Sequence, residues 1–300
     1  MKIGKNKSKS VDIGPQSGLS INQWGEVVRK LGKNKIAVIS LVVFVVICLA
    51  CAMAPYLTKW EYSAISVPDR NALPSFKHIF GTDYLGRDSF SRMLYGGRLT
   101  LRITFVSTLL AAAVGSILGL AAGYFGRKAD FIISPVLDML GSIPVILLAI
   151  VTESVFGWGK GYFVYAIAVA AVPKFARIVR ASVMDIMGRE YIEAARALAV
   201  SHVGVIFRHV VHNVAPAFIV RFTSLTAEAL LTCTIMGYLG IGINPPTPEW
   251  GAIVLIAKSY MRVAPYVMFI PCAVIAITVI SLSLFGDGLR DALDPNETSF

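Results

Sequence analysis

Residues 185–216 read DIMGREYIEAARALAVSHVGVIFRHVVHNVAP and form a charged segment between two apolar runs. From Met187 to Leu198, apolar residues recur at spacings of four, three and four, which predicts an amphipathic helix with its charged side chains on another face. Ser201 can cap a second helix, which carries an apolar face and runs to Pro216. Because the flanking runs are long enough to span a membrane, we expect this helix pair at the water surface, facing a partner.

The composition is that of a polytopic membrane protein. Of 300 residues, 56% are hydrophobic and 15% are charged, and the mean hydropathy is +0.68, which argues against two soluble domains. A net charge of +10 could indicate nucleic-acid binding, but basic flanks of membrane spans explain it better, because cytoplasmic loops are enriched in Lys and Arg. We therefore expect a lipid bilayer, and no nucleic acid, among the partners.

The four cysteines all lie in apolar runs, at Cys48, Cys51, Cys233 and Cys272. Cys48 and Cys51 have the spacing of a redox pair, but no soluble fold surrounds them. We interpret all four as small apolar residues that face lipid or other helices.

The apolar runs predict an all-α protein with six transmembrane helices, at residues 36–57, 99–124, 131–152, 162–179, 214–241 and 265–285. In the third of these, Pro144 predicts a kink, which neighbouring helices can accommodate. The chain then divides into a cytoplasmic tail (residues 1–35), the first span (36–57), an extracytoplasmic loop (58–98), a core of five helices (99–286) and a cytoplasmic tail (287–300). In the first tail, Ser20 can cap a short helix that Trp24 anchors at the membrane interface.

The distribution of basic residues orients the chain in the membrane. Segments assigned to the cytoplasm hold 17 Lys and Arg residues against nine in the outer segments, and most of those nine lie in one long loop. Because short cytoplasmic segments are the ones enriched in Lys and Arg, we expect both termini in the cytoplasm.

The sequence holds no candidate catalytic or metal site. The phosphate-binding pattern Gly-x-x-x-x-Gly-Lys-Ser/Thr does not occur, and residues 157–161, GWGKG, lack its spacing and its hydroxyl residue. His202, His209 and His212 are close together, but the further ligands that a metal site needs are not obvious nearby, so we interpret them as surface histidines. We expect no enzymatic activity and no cofactor in this chain.

Two carboxylates lie within predicted spans, where an ionised group costs roughly 2.5–3.5 kcal/mol unless it is paired or hydrated. We expect Asp138 to have a structural partner or to lie at the interface. Glu228 shares one helical face with Arg221, Ser224 and Thr232. This polar stripe either lines a water-filled pathway, which would favour cationic or amine-bearing solutes, or closes a helix contact through hydrogen bonds. The candidate pathway residues are therefore Ser224, Glu228 and Thr232.

Four motifs in this sequence resemble one protein family. The run Glu193-Ala194-Ala195, with Arg208-His209 and Asn213 downstream, resembles the EAA loop of ABC-importer permeases. The segments HIFGTDYLGRDSFSR at 78–92, PPTPEWG at 245–251 and GDGLRDALDP at 286–295 resemble its oligopeptide/dipeptide/nickel branch. This chain departs from the usual EAA pattern at Ala199, where Gly suits a left-handed turn, and at His212, where Pro would stop a helix.

The resemblance implies a type I ABC importer fold in a bacterial cytoplasmic membrane and a division of labour among subunits. The implied partners are a second related permease, two cytoplasmic ABC ATPase subunits that bind ATP and Mg, and an extracytoplasmic substrate-binding protein. The substrate is a peptide or a related small solute, with nickel, a metal chelate, glutathione or an antimicrobial peptide left open. The expected ATPase-coupling residues are Glu190, Glu193, Ala194, Ala195, Arg196, Ala199, Arg208 and His209.

Two outer segments, residues 58–98 and 242–264, are polar, contain Gly and Pro, and lie on the same side. We expect them to form the docking surface for the binding protein, although loops that merely connect spans remain an alternative. The docking candidates are Arg87, Asp88, Pro246, Glu249 and Trp250.

Two other classes of function stay open at this point. A secondary transporter driven by an ion gradient would normally show internal repeats, and no convincing repeat is visible. A channel or scaffold subunit would explain the spans but not the amphipathic inner helix pair.

Overall fold

The computed structural model describes residues 21–159 and 161–294, and the side chains of all these residues except 21–24 and 196. The helices in chain order are α1 (Ile21–Lys33), α2 (Lys35–Ala52), α3 (Ala54–Leu57), α4 (Ser89–Phe125), α5 (Arg127–Ser142), α6 (Val145–Phe156), α7 (Phe163–Met187), α8 (Glu190–Ala197), α9 (His202–Val205), α10 (Val211–Tyr238), α11 (Trp250–Lys258) and α12 (Tyr266–Leu293). A 3₁₀ turn spans Val67–Asp69, a π turn spans Ile206–Val210, and these described ranges contain no β-strand. The expected cap at Ser20 and interface position of the Trp24 side chain lie outside what is described.

Within the described residues, four helices are long and apolar enough to cross a membrane: α2, α4, the continuous helix His202–Tyr238, and α12. The pair α5 and α6 would supply a fifth crossing, with a bend of 88° between its halves. The all-α prediction is confirmed. Of the six predicted spans, length and composition of the helices support four or five. In the position of the predicted fourth span, α7 carries Lys174, Arg177 and Arg180.

The predicted third span is wrong in its shape. Residues 131–152 do not form one kinked helix, because the chain leaves helical geometry at Ile143 and starts again after Pro144. Ile143 adopts an extended conformation, with φ −81° and ψ 123°. A residue that precedes proline favours this conformation, because the proline ring would collide with it in a helix.

The helix that contains the second predicted span begins before residue 99. Asp88 caps α4 by accepting a hydrogen bond from the Ser91 amide at 2.7 Å, so the helix starts at Ser89. The segment predicted as a loop at residues 58–98 therefore includes the first turns of α4. We call residues 58–98 and 242–264 the outer lobe, after their predicted side of the membrane.

The centre of the fold is the close contact of α4 with α7. Gly115, Gly119 and Gly123 repeat every four residues along α4 and face α7. A Cβ at Gly119 would lie 2.5 Å from the Ala176 carbonyl oxygen, and one at Gly123 would lie 2.8 Å from the Val183 Cβ. Small residues at this spacing let two membrane helices approach backbone to backbone, and this signal was missed in the sequence.

The predicted inner helix pair is present, with two corrections. The first helix is shorter than predicted, because Met187 ends α7 and a turn at residues 188–189 separates it from α8. Ser201 caps the second helix by accepting a hydrogen bond from the Gly204 amide at 3.2 Å, as predicted. The helix does not end at Pro216, however, because α9, the π turn and α10 are continuous to Tyr238. Proline is tolerated inside membrane helices where neighbouring groups satisfy the freed carbonyl.

Candidate functional site

The inner segment, residues 185–216, packs against the rest of the protein on one side and is exposed on the other. Ile192 of α8 is fully buried in a cluster with Val205 and Val210 of the second helix and Val183 of α7. The hydroxyl oxygen of Tyr124, at the end of α4, lies 2.8 Å from His202 Nδ1, and this contact joins the second helix to α4. The segment is therefore fixed to the ends of α4 and α7, and moves with them.

The exposed side of this segment holds most of the predicted coupling residues. Glu190, Glu193, Ala194, Ala199 and Arg208 are exposed, and His209 is half-buried beside Tyr191. Leu198, Val203 and Phe207 add large exposed apolar side chains to the same segment. The side chain of Arg196 lies outside the described atoms.

Three structural details bear on the coupling prediction. Ala195 is buried, so it faces the protein body and not a partner. Arg189 forms an ion pair with Asp185 at 2.8 Å, which holds its charge at the end of α7. Ala199 adopts a left-handed conformation with φ 54°, which is the geometry that Gly would favour there.

A second candidate region is a set of ion pairs along α7. Lys174 pairs with Glu228 of α10, Arg177 Nη2 lies 2.7 Å from Asp138 Oδ1, and Arg180 Nη2 lies 2.6 Å from Asp130 Oδ2. Asp138 thus has the structural partner that was expected.

The first two of these pairs are unusually accessible for membrane charges. The exposed fractions of the side chains are 40% and 49% for Lys174 and Glu228, and 55% and 67% for Arg177 and Asp138. Ionised groups open to hydrocarbon are costly, so this face is suited to water or to a polar partner and not to lipid.

The predicted polar stripe on α10 is only partly assembled. Glu228 and Thr232 line an open groove with Lys174, and the rest of its wall is apolar, including Ile167 and Leu225. Ser224 does not line this groove, and its hydroxyl donates to the Val220 carbonyl of its own helix at 3.1 Å. The expected preference for cationic solutes is not supported, because Lys174 already neutralises Glu228.

The outer lobe contradicts the docking prediction for four of its five residues. Arg87, Asp88, Glu249 and Trp250 are buried, and only Pro246 is exposed. Buried side chains cannot contact an external protein without rearrangement. These motifs therefore build the lobe itself, because their charged groups find partners inside it.

The partners of these residues are specific. Arg87 Nε donates to Asp83 Oδ2 at 2.7 Å, and Asp88, besides capping α4, lies 2.8 Å from His78 Nδ1. The Trp250 indole donates to the Met93 carbonyl at 2.9 Å.

Glu249 caps α11 from a buried position. Its carboxylate accepts hydrogen bonds from the Thr100 hydroxyl and from the Gly251 and Ala252 amides, each at 3.0 Å. Burial raises the pKa of Glu249, and these three hydrogen bonds oppose that shift. The result is a rigid joint between α4 and α11.

Large apolar side chains are exposed on the outer lobe, beside exposed charged residues such as Glu61. The apolar ones in the segment between α3 and α4 are Ile65, Val67, Leu73, Phe76 and Ile79. None of these five is among the predicted docking residues.

Comparison with protein families gives two matches that together cover most of the chain. Residues 115–298 match the family described as "Binding-protein-dependent transport system inner membrane component". Residues 22–74 match the "N-terminal TM domain of oligopeptide transport permease C".

Similar curated proteins are named as permeases, and the similarity extends over nearly their whole length. The dipeptide transport system permease protein DppC of Alkalihalophilus pseudofirmus is 37% identical over 280 residues, which covers 93% of this chain and 92% of the relative. The glutathione transport system permease protein GsiD of Pectobacterium atrosepticum is 38% identical over 274 residues, or 91% of each chain.

Among solved structures, the inward-facing MetNI methionine ABC transporter superposes with a TM-score of 0.55 at 22% identity, covering 68% of this chain and 96% of that one. An amino acid ABC transporter solved with histidines gives a TM-score of 0.52 at 16% identity, covering 66% and 92%. At these identities the likeness concerns the fold alone.

Proposed function

The chain belongs to the binding-protein-dependent transport system inner membrane components, and from this membership we propose how its parts divide the work of import. It is a permease subunit of an ABC importer and not an enzyme. In our proposal it forms half of the translocation pathway with a second, related permease. ATP and Mg are bound by two separate cytoplasmic ATPase subunits.

The observation that carries this proposal is the arrangement of α8. The helix is fixed to the ends of α4 and α7 by its buried side, and its other side exposes Glu190, Glu193 and Ala194. A charged helix held this way suits a groove of an ATPase subunit. Closure of the ATPase subunits would pull α8 and rock the packed helices behind it, which is the usual route to alternating access.

The accessible ion pairs support an assignment of the pathway. We propose that the face with Lys174, Arg177, Asp138 and Glu228 points toward the second permease across a hydrated space. The exposed surfaces of α2 and α12 are apolar by contrast, and suit lipid.

The proposed substrate is a short peptide or a related small solute. The relatives named above are dipeptide and glutathione permeases, and other similar proteins are named peptide transport permeases. Nickel or a metal chelate has no support from these relatives.

The proposed docking surface for the substrate-binding protein is the exposed apolar patch of the outer lobe, together with Pro246. Phe76 is the most exposed of these apolar residues, and the buried Arg87 and Glu249 hold the lobe in shape through their internal partners. We further propose six crossings, counting α7 and the bent pair α5–α6, with both termini in the cytoplasm of a bacterium.

The test of α8 uses two neighbouring alanines that differ in exposure. Ala194 is exposed, so the Ala194→Cys variant should crosslink to a cysteine in the groove of the ATPase subunit. Ala195 is buried, so the Ala195→Cys variant should not. Crosslinking at both positions or at neither would contradict the assigned orientation of α8. Labelling of position 194 only from outside intact cells would overturn both the topology and the coupling role.

A further inference from the structure

The first helix of the structure has a sequence that suits the surface of a membrane. At 100° per residue its five large apolar side chains fall within an arc of about 120°; they are Ile21, Trp24, Val27, Val28 and Leu31. Its charged residues lie outside this arc, at Glu26, Arg29, Lys30 and Lys33. Nothing in the transport cycle proposed above uses this helix.

The protein covers only one edge of that apolar arc. Val27 is 7% exposed because α1 packs there against the ends of α2 and α12, whereas Val28 next to it is 67% exposed. An isolated exposed valine would mean little. Here, however, it lies on the same arc as Leu31, which is half-buried, so Val28 and Leu31 form an apolar strip that the described chain leaves partly uncovered.

The position of this strip is fixed by a rigid corner. The Asn34 amide donates to the Leu31 carbonyl at 3.0 Å, and its side chain accepts from the Ala37 amide at 3.1 Å. On the other side, a Cβ on Gly288 of α12 would lie 2.3 Å from the Ala37 Cβ, so the two helices touch through this glycine. The α1 helix is therefore held at the point where the α2 span begins.

The apolar strip continues into the surface that faces lipid. Ile36 and Ile39, in the first turns of α2, are both highly exposed. Since α2 is one of the helices apolar enough to cross a membrane, its exposed side suits acyl chains. Val28 lies just before this surface along the chain, so it suits the boundary between acyl chains and headgroups.

The charged residues around the strip are nearly all basic. Residues 21–35 hold four basic side chains and one acidic one. Arg29 reaches Glu26 at 3.8 Å, but no carboxylate of the described chain lies within 4.0 Å of Lys30, Lys33 or Lys35. Their charges are thus available to an external anion.

We propose that α1 lies in the headgroup layer and binds anionic phospholipid, with Val28 among the acyl chains and Lys30, Lys33 and Lys35 on lipid phosphates. A lipid is favoured over a protein partner because the apolar strip is continuous with the lipid-facing side of α2. An anionic lipid is favoured over a neutral one because only a net negative headgroup compensates the surplus of basic side chains.

The experiment places a photo-crosslinking amino acid at position 28 of the full-length permease in intact bacterial membranes. After irradiation, the adducts are identified by mass, as phosphatidylglycerol, phosphatidylethanolamine or protein. The same amino acid at position 46 serves as the control, because Val46 is exposed but lies eleven residues beyond Lys35 in α2, and it should trap lipids in proportion to their abundance.

At position 28 we expect phosphatidylglycerol to be enriched over its share of the membrane. Each basic residue near an anionic surface contributes roughly fivefold in binding. The double variant Lys30→Glu/Lys33→Glu should therefore reduce the enrichment about tenfold or more. Reversal of two exposed cations elsewhere, Arg127→Glu/Lys128→Glu, should leave it unchanged.

Three results would overturn the proposal: a protein adduct at position 28, lipid adducts in the same proportions as at position 46, or an enrichment that the Lys30 and Lys33 reversals leave unchanged. If the double variant does not accumulate in the membrane, the enrichment at position 28 of the unaltered chain is measured at increasing salt concentrations instead. Screening weakens attraction between exposed charges, so the enrichment should fall between 0.05 and 0.5 M NaCl, and a constant value contradicts the proposal.

Discussion

Replacing Glu249 by Gln distinguishes an internal joint from a docking contact in the outer lobe. Every group that contacts this carboxylate is a donor: the Thr100 hydroxyl and the Gly251 and Ala252 amides. Gln keeps the shape, but its NH₂ group must point at one of these donors. The least harmful orientation keeps the Gln oxygen on Thr100 and Gly251 and sets the NH₂ group against the Ala252 amide.

The magnitude follows from that geometry. One hydrogen bond to a charged group is lost, worth roughly 1.5–3 kcal/mol, and a buried N–H is left without an acceptor. Removal of a desolvated charge offsets part of this cost. We expect a net loss of about 1–2 kcal/mol, and hence a Tm lower by a few degrees, since 1 kcal/mol moves the Tm of a large domain by roughly 2–4 °C.

The pH dependence has a definite sign. The pKa of Glu249 is raised above its ordinary value of 4.5, so the folded protein binds this proton more tightly than the unfolded chain does. The stability that Glu249 contributes is therefore fully present below the unfolded pKa and is lost as the pH rises through the folded pKa. Gln does not titrate, so the Tm advantage of the wild type over the variant should narrow as the pH rises from about 4.

The assay is thermal unfolding in detergent, followed by intrinsic tryptophan fluorescence, alongside the ATPase activity stimulated by the binding protein. Glu61→Gln, an exposed glutamate of the same lobe, is the matched control and should change neither quantity. Stimulation of the Glu249→Gln protein should fall only with its folded fraction. An unchanged Tm with stimulation lost would refute the joint and restore the docking contact.

Three further predictions concern the helix contact, the pathway face and the outer patch. Gly119→Val should lower the Tm and the folded yield in the same assay, because its Cβ would stand 2.5 Å from the Ala176 carbonyl oxygen and overpacking costs roughly 1–3 kcal/mol. Lys174→Glu alone should reduce ATP-driven import in proteoliposomes, and adding Glu228→Lys should restore it; no restoration would mean that the pair is not what matters. Phe76→Glu should reduce binding-protein-stimulated ATPase activity at unchanged Tm, and unchanged stimulation would remove the apolar patch from the docking surface.

Local signals in the sequence were sufficient to predict most of the structure of the inner segment. The 3.6-residue periodicity from Met187 to Leu198 and the capping serine at Ser201 depend on neighbours within one or two turns. The structure contains the cap and a helix at Glu190–Ala197, which starts after a turn that the periodicity did not predict. The break at Pro144 was visible as a proline but not as an 88° bend, because the bend depends on the helices that receive α6. Length and hydropathy predicted apolar crossings, yet they could not decide how α7 accommodates three cations.

Burial of the outer motifs could not be deduced in the same way. Arg87, Asp88 and Glu249 are residue types that usually lie at the surface, and their positions in loops suggested contact with an external protein. Their partners include His78, ten residues from Asp88, and Thr100, 149 residues from Glu249. Only the folded chain brings these groups together, so a polar motif in a loop is ambiguous between a binding surface and the framework that holds one.

The ion pairs of α7 attach this helix, which leads into α8, to its neighbours in the fold. Their partners lie 54, 39 and 50 residues away along the chain, which explains why the sequence did not identify Lys174 as the partner of Glu228. Together with the glycine contact to α4, they attach α7 to α4, α5 and α10, and α7 leads directly into α8. A force applied to α8 therefore reaches three neighbouring helices through one element. This argues that α7 rocks as part of a packed unit, and that loosening any one of its pairs should weaken coupling before it weakens binding of the ATPase subunit.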